Sequence, residues 1–188
     1  MPTRSRAPLA AAFAVLAVLS VSGCAARPTP EPAAAAAPTL SAQELAEWAA
    51  LAEANPGTLG PGEGEAEYDA AVAAFPLAMP DGYVFPDSST LQFYAPGNVL
   101  GRGAGTGYAA YSWLCAAQTA YVDADGETAR GDALDALRSW AALPVETITL
   151  RNAGDWADIV IDPAEAGDDA PLERDMRSNC DEFPAVRE

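Results

Sequence analysis

The stretch Tyr108-Ala109-Ala110-Tyr111-Ser112-Trp113-Leu114-Cys115-Ala116-Ala117-Gln118-Thr119-Ala120-Tyr121-Val122 decides the fold of this chain. It holds no proline, glycine or charge, and alanine, the best helix former, recurs through it. Tyr108, Tyr111, Cys115 and Val122 fall on one face at helical spacing, with Leu114 beside them, which predicts a helix. Trp113 stands off that face. A helix with a large aromatic there is either buried on two sides or presents Trp113 to a partner. Burial is the preferred reading, since such rings are highly buried on average.

Toward the C-terminus a second helix is predicted from Glu127 to Leu143. Leu134, Leu137, Trp140 and Ala141 turn inward, Asp132, Asp135 and Arg138 turn to water, and Pro144 ends the run. Val145 to Arg151 alternates threonine with aliphatic residues and reads as a short strand or an extended connector. Asp155 is placed to cap a helix on which Trp156, Ile159, Val160 and Pro163 share a face. Pro163 removes a backbone hydrogen bond, so that helix kinks or a new one begins at Asp162. Asp169, with Pro171 close behind, opens a last helix through Leu172 and Met176 to Cys180.

Toward the N-terminus, Gly101, Gly103, Gly105 and Gly107 read as a mobile connector. A phosphate-binding G-x-G-x-x-G loop fails there, because Thr106 stands where the third glycine belongs. Residues 76–107 are punctuated by Pro76, Pro80, Pro86 and Pro96 and read as an irregular arm, with short strands near Gly82–Phe85 and Thr90–Tyr94. Phe75, Tyr83, Phe85, Phe93 and Tyr94 offer a stacking platform for glycan or peptide, although aromatics in such an arm more often pack onto the helices they cross. Further upstream, Ser41-Ala42-Gln43-Glu44 forms a capping-box pattern before Leu45, Trp48, Ala49 and Ala52, predicting a helix of about 13 residues stopped by Asn55-Pro56-Gly57. A glycine-rich loop runs to Gly64, and Tyr68, Ala71, Val72 and Phe75 predict another helix, ended by Pro76. The fold class is mainly α: one small helical domain over residues 41–188, with a Pro/Gly-rich arm and at most short strands.

The first residues carry a different signal. Arg4 and Arg6 precede an apolar run from Ala7 to Ser20, a pattern of secretory signals and too short for a free-standing membrane span. The run ends in Val21-Ser22-Gly23-Cys24, which resembles the bacterial lipobox: aliphatic, small, Gly or Ala, then Cys. The resemblance implies a signal peptide over residues 1–23, cleavage before Cys24, and a diacylglyceryl group on the Cys24 thiol. Two acyl chains anchor stably where one does not, so the lipid bilayer becomes a partner through Cys24, on the extracytoplasmic face of the cell membrane. Arg27 to Leu40, rich in proline and alanine, reads with the rest of 24–40 as an extended tether. With Cys24 lipidated, Cys115 and Cys180 remain as an even pair in an oxidising compartment, which implies a disulfide; two free thiols are the alternative. Its chain-entropy contribution would be roughly 4 kcal/mol. Alanine, arginine and glycine without lysine resemble the composition of lipoproteins from GC-rich actinobacteria. The order of proline-rich entry, Trp113-Leu114-Cys115 and Asn179-Cys180 is similar to lipoproteins of unknown function of that kind, and implies no activity.

Composition narrows the chemistry. Beyond residue 23 the chain holds 8 arginines against 27 acids, a charge of −19, with no lysine and no histidine. That balance argues against nucleic acid and anionic lipid surfaces as partners. Without histidine or lysine there is no Ser-His-Asp triad, imidazole metal site, Schiff base or P-loop lysine. Carboxylate pairs suited to a secreted hydrolase remain open, but 27 acids allow any pairing. Asp123-Ala124-Asp125-Gly126 with Asp132 partly matches an EF-hand loop, placing Asp123 third, Asp125 fifth and Asp132 twelfth. Tyr121 at the first position cannot open such a loop, so these acids are weak Ca²⁺ candidates and a helix–helix turn is the plainer reading. No cofactor is expected. The leading expectation is a non-enzymatic envelope protein that binds or supports a protein or glycan partner.

Overall fold

The computed structural model describes residues 41–54, 57–91, 100–101, 103–144, 153–183 and 185–188. The expected strand or connector over 145–151, most of the strand near Thr90–Tyr94, and everything up to Leu40 lie outside the described residues.

Helix α1, Ala42–Ala54, begins as its local chemistry dictates. The Ser41 amide donates to Glu44 Oε2 at 2.9 Å, and the Glu44 amide donates to Ser41 Oγ at 3.2 Å, so two otherwise orphaned donors are satisfied reciprocally. The short strand β1, Thr58–Leu59, leads into α2, Pro61–Ala73. The glycine-rich segment is therefore not a loop as far as Gly64. Pro61 suits a first helical turn, and the Glu63 carboxylate reaches back to the Gly60 amide at 2.8 Å, a capping box with glycine at its head. Strand β2, Tyr83–Val84, falls where the arm was expected to be extended, followed by a tight 3₁₀ turn at Ser88–Thr90.

Strand β3, Leu100–Gly101, pairs antiparallel with β1 and delivers the chain into α3, Ala104–Asp123. The expected mobile connector is thus corrected: Gly105 and Gly107 lie within the helix, and Gly103 caps it at φ +78, a conformation glycine adopts without strain. Helix α3 is the axis of the domain. Trp113, Leu114, Cys115, Ala117, Gln118 and Tyr121 are all at most 2 % exposed, so the helix is buried on more than one side. Trp113 lies in the core, and its indole N–H donates to the Ala78 carbonyl at 2.8 Å. Val122, placed by spacing on the inner face, is instead 41 % exposed, whereas its neighbour Tyr121 is 2 % exposed, so in the last turn of α3 the covered side is the one that carries Tyr121.

Helix α4, Glu127–Ala141, follows a turn hinged on Gly126 at φ +94 and presents Leu134, Leu137 and Trp140 inward. Full burial of side chains such as Leu137 and Ile161 contributes about 1.5–3 kcal/mol apiece. Helix α5, Ala153–Trp156, runs into a widened π turn, Ala157–Ile161, and then into α6, Asp162–Glu165. Asp155 lies inside that run rather than capping it. The wide turn also resets the helical phase ahead of Pro163, so Val160 and Ile161 are buried while Ile159, expected on the inner face, is 64 % exposed. Helix α7, Ala170–Asn179, opens after Asp169 and buries Leu172. Strand β4, Val186–Arg187, closes on β2.

The fold is mainly helical with short strands, stapled by a disulfide between Cys115 in mid-α3 and Cys180 at the end of α7, with Cα atoms 5.5 Å apart. The aromatics of the arm are core material. Phe75 meets Trp48 and Phe85 edge-on, with ring centroids 5.4 and 5.2 Å away, and Tyr83 is buried. Phe93 and Tyr94 lie outside the described residues.

Candidate functional site

A groove of about 310 Å³ opens between α3, α4 and the segment Ala78–Asp81. Its walls follow from helical spacing. Ala117 and Ala120 line it from α3 at i and i+3, with Ala124 just past the helix end, and Ala129, Ala133 and Ala136 line it from α4 at i, i+4 and i+7. Methyl groups are too short to close the space between two helices, so the gap stays open where leucine would fill it. Trp113 contributes to the base, and Asp81 and Asp132, both solvent-exposed, stand on the lining. Neither carboxylate is paired with a described residue.

Two Tyr–Asp–Arg clusters fix the ends of the helices around this groove. Tyr121 donates to Asp169 Oδ1 at 2.5 Å, Arg130 donates to Asp169 Oδ2 at 2.8 Å, and the Arg130 guanidinium lies 5.0 Å from the Tyr121 ring centre. Burial and the adjoining Asp169 carboxylate push the Tyr121 phenol up to about 12, and the Tyr121 hydrogen bond holds Asp169 below the usual carboxylate range. The second cluster repeats the pattern: Tyr83 donates to Asp123 Oδ2 at 3.1 Å, Arg187 pairs with Asp123, and Arg187 lies 5.2 Å from the Tyr83 ring centre. Burial first, and then the Asp123 hydrogen bond, raise the Tyr83 phenol. One cluster ties the starts of α4 and α7 to α3; the other ties the β2–β4 ribbon to its C-terminal end.

The three weak Ca²⁺ candidates separate in space and role. Asp123 is the last residue of α3 and is engaged by Tyr83 and Arg187, Asp125 sits exposed in the turn, and Asp132 belongs to the groove. Among the described residues no group of three or more metal-binding side chains comes together. Cys115 and Cys180 are joined to each other, so neither is a nucleophile. Cys24 lies outside the described residues.

A buried carboxylate that sequence reasoning missed is Glu67, 4 % exposed on α2. Its Oε1 accepts from both the Thr106 amide and the Thr106 hydroxyl, each at 3.1 Å, so it caps the N-terminus of α3 from a neighbouring helix. Gly103 has no side chain to do so. The negative charge also complements the positive end of the α3 dipole. A signal was available: the glycines at 64 and 105 are the small residues a close helix crossing requires.

Searches against protein-family models, curated proteins and solved structures find no match for this chain.

Proposed function

We propose that this protein is a membrane-anchored extracytoplasmic lipoprotein, held to the bilayer through a diacylglyceryl group on Cys24, and that its helical domain serves as a non-enzymatic binding or structural protein of the envelope. The observation that carries the reading is the Cys115–Cys180 disulfide. Disulfides of this kind belong to oxidising compartments, and the pair accounts for both cysteines outside the lipobox-like stretch, leaving Cys24 for acylation. No helix among the described residues is long and apolar enough to cross a membrane. The exposed acids of the groove lack the desolvated surroundings that a general acid draws on, and the buried Glu67 has one oxygen, Oε1, engaged in capping α3. A binding surface on a stapled scaffold is what remains.

The test is metabolic labelling with an alkyne fatty acid in a bacterial host with lipoprotein processing, followed by detergent phase partitioning. The wild-type chain should take label and enter the detergent phase, whereas Cys24→Ala should do neither. Label retained in Cys24→Ala, or none in the wild type, would overturn the anchor.

A further inference from the structure

We propose that the alanine-lined groove between α3 and α4 binds a small organic cation with an apolar body, an alkyl- or cycloalkylammonium, whose charged head lies between Asp81 and Asp132. This deepens the binding reading above and rests on it.

The argument begins with volume. About 310 Å³ stands at the lower end of the range of small-molecule sites. That is room for one compact body. The lining is next: Ala117, Ala120, Ala133 and Ala136 offer methyl groups and no hydrogen bonds, and the Trp113 N–H is already spent on Ala78. Water in such a groove is poorly held, and an apolar body that displaces it gains affinity.

Charge then selects the ligand. Asp81 and Asp132 are unpaired among the described residues, and the nearby arginines are committed elsewhere, Arg130 to Asp169 and Arg187 to Asp123. The chain has no lysine or histidine, and no arginine among the described residues lines the groove. An anionic ligand would meet two carboxylates and be repelled. A bare Ca²⁺ ion is a poor fit, because it seeks six to eight oxygen ligands and the alanine side chains provide none. An ammonium on an apolar body satisfies both parts of the site: the head pairs with the acids and the body covers the methyl groups.

The test uses the full chain in phosphatidylcholine vesicles, titrated by calorimetry with cyclohexylmethylammonium, cyclohexylmethanol and cyclohexanecarboxylate, with protein-free vesicles as blank. The cation should bind about tenfold more tightly than the alcohol, and the carboxylate more weakly than either. Added salt should erode the cation's advantage and leave the alcohol unaffected. In Asp81→Asn with Asp132→Asn the cation should fall to the alcohol's affinity. Ala133→Leu should abolish binding of both while the melting temperature holds, and Ala136→Leu serves should the first variant misfold. Equal affinity for all three compounds, or no cation heat above the blank, overturns the proposal. Co-sedimentation of the chain with the vesicles reports the anchor separately, so failure of the anchor and failure of the groove are read apart.

Discussion

Adding one methyl group at Gly105 should be among the most disruptive small changes this domain can receive. A Cβ there would lie 2.5 Å from the Tyr68 backbone nitrogen, 2.8 Å from the Gly64 carbonyl oxygen and 2.9 Å from Glu67 Cβ. Two of these atoms are backbone, so no side chain can swing away; α2 must move as a body. Overpacking of this kind costs about 1–3 kcal/mol. The shift also pulls Glu67 from Thr106, and hydrogen bonds to a charged group are worth about 1.5–3 kcal/mol. Against this, alanine's helix propensity favours the variant by about 1 kcal/mol. The net expectation for Gly105→Ala is a loss of about 1.5–5 kcal/mol, a fall in melting temperature of about 3–20 °C for a domain of this size. Gly131→Ala is the internal control. It is also glycine to alanine inside a helix, but nothing lies within 4 Å of the added methyl, so it should stabilise by about 0.5–1 kcal/mol. Urea denaturation of both variants, followed by circular dichroism, separates the effects. If the two change stability by the same amount and sign, the close α2–α3 crossing is not what holds these helices together.

The disulfide offers a second prediction: replacing Cys115 and Cys180 together by alanine should lower stability by roughly 4 kcal/mol, measured by urea unfolding against the oxidised wild type. At alkaline pH, Tyr68, Tyr108 and Tyr121 are each pushed up to about 12, chiefly by burial. Their raised folded-state values mean that this contribution is complete below the unfolded tyrosine value near 10 and is lost as pH climbs toward about 12. Tyrosinate absorbance should therefore appear later in the folded chain than in the urea-unfolded chain, and coincident titrations would contradict the burial. At the acid end the sign reverses: Asp169 is depressed in the folded state, so its contribution holds above the ordinary aspartate range and fades as pH falls through it. Tyr121→Phe, which removes the hydrogen bond responsible, should blunt that acid sensitivity and lower stability at neutral pH by about 1 kcal/mol, read from pH-dependent melting curves.

What the residues disclosed in advance follows the range of the interactions. Ser41 and Glu44 act across one helical turn, and the α1 cap is legible in four residues. The inner face of α4 is legible for a similar reason, since Leu134, Leu137 and Trp140 contrast sharply with their charged neighbours. Glycine defeated the reading twice. Its intrinsic preference argues against helix at Gly62, Gly64, Gly105 and Gly107, yet the Glu63 box and the α2–α3 crossing override it. Ile159 was misplaced because a π turn changes the helical period that spacing arguments assume. The groove was invisible for another reason. Alanine at helical spacing reads the same whether it packs against a neighbour or faces a gap, and only the third wall, Ala78–Asp81, distinguishes the two.

The cap that Glu67 places on α3 has a further consequence for how the domain opens. The residue that satisfies the Thr106 amide lies 39 positions earlier, on another helix, so within the first turn of α3 this donor is held from outside the helix. A peptide comprising α3 alone should fray from its glycine end. In the intact domain, hydrogen exchange at Thr106 requires α2 to separate, and its protection should match that of the α2 core amides near Tyr68 rather than that of an ordinary helix end. The glycine run thereby merges two helices into one unit of unfolding, and what looks like the weakest stretch of the chain reports on the opening of its strongest contact.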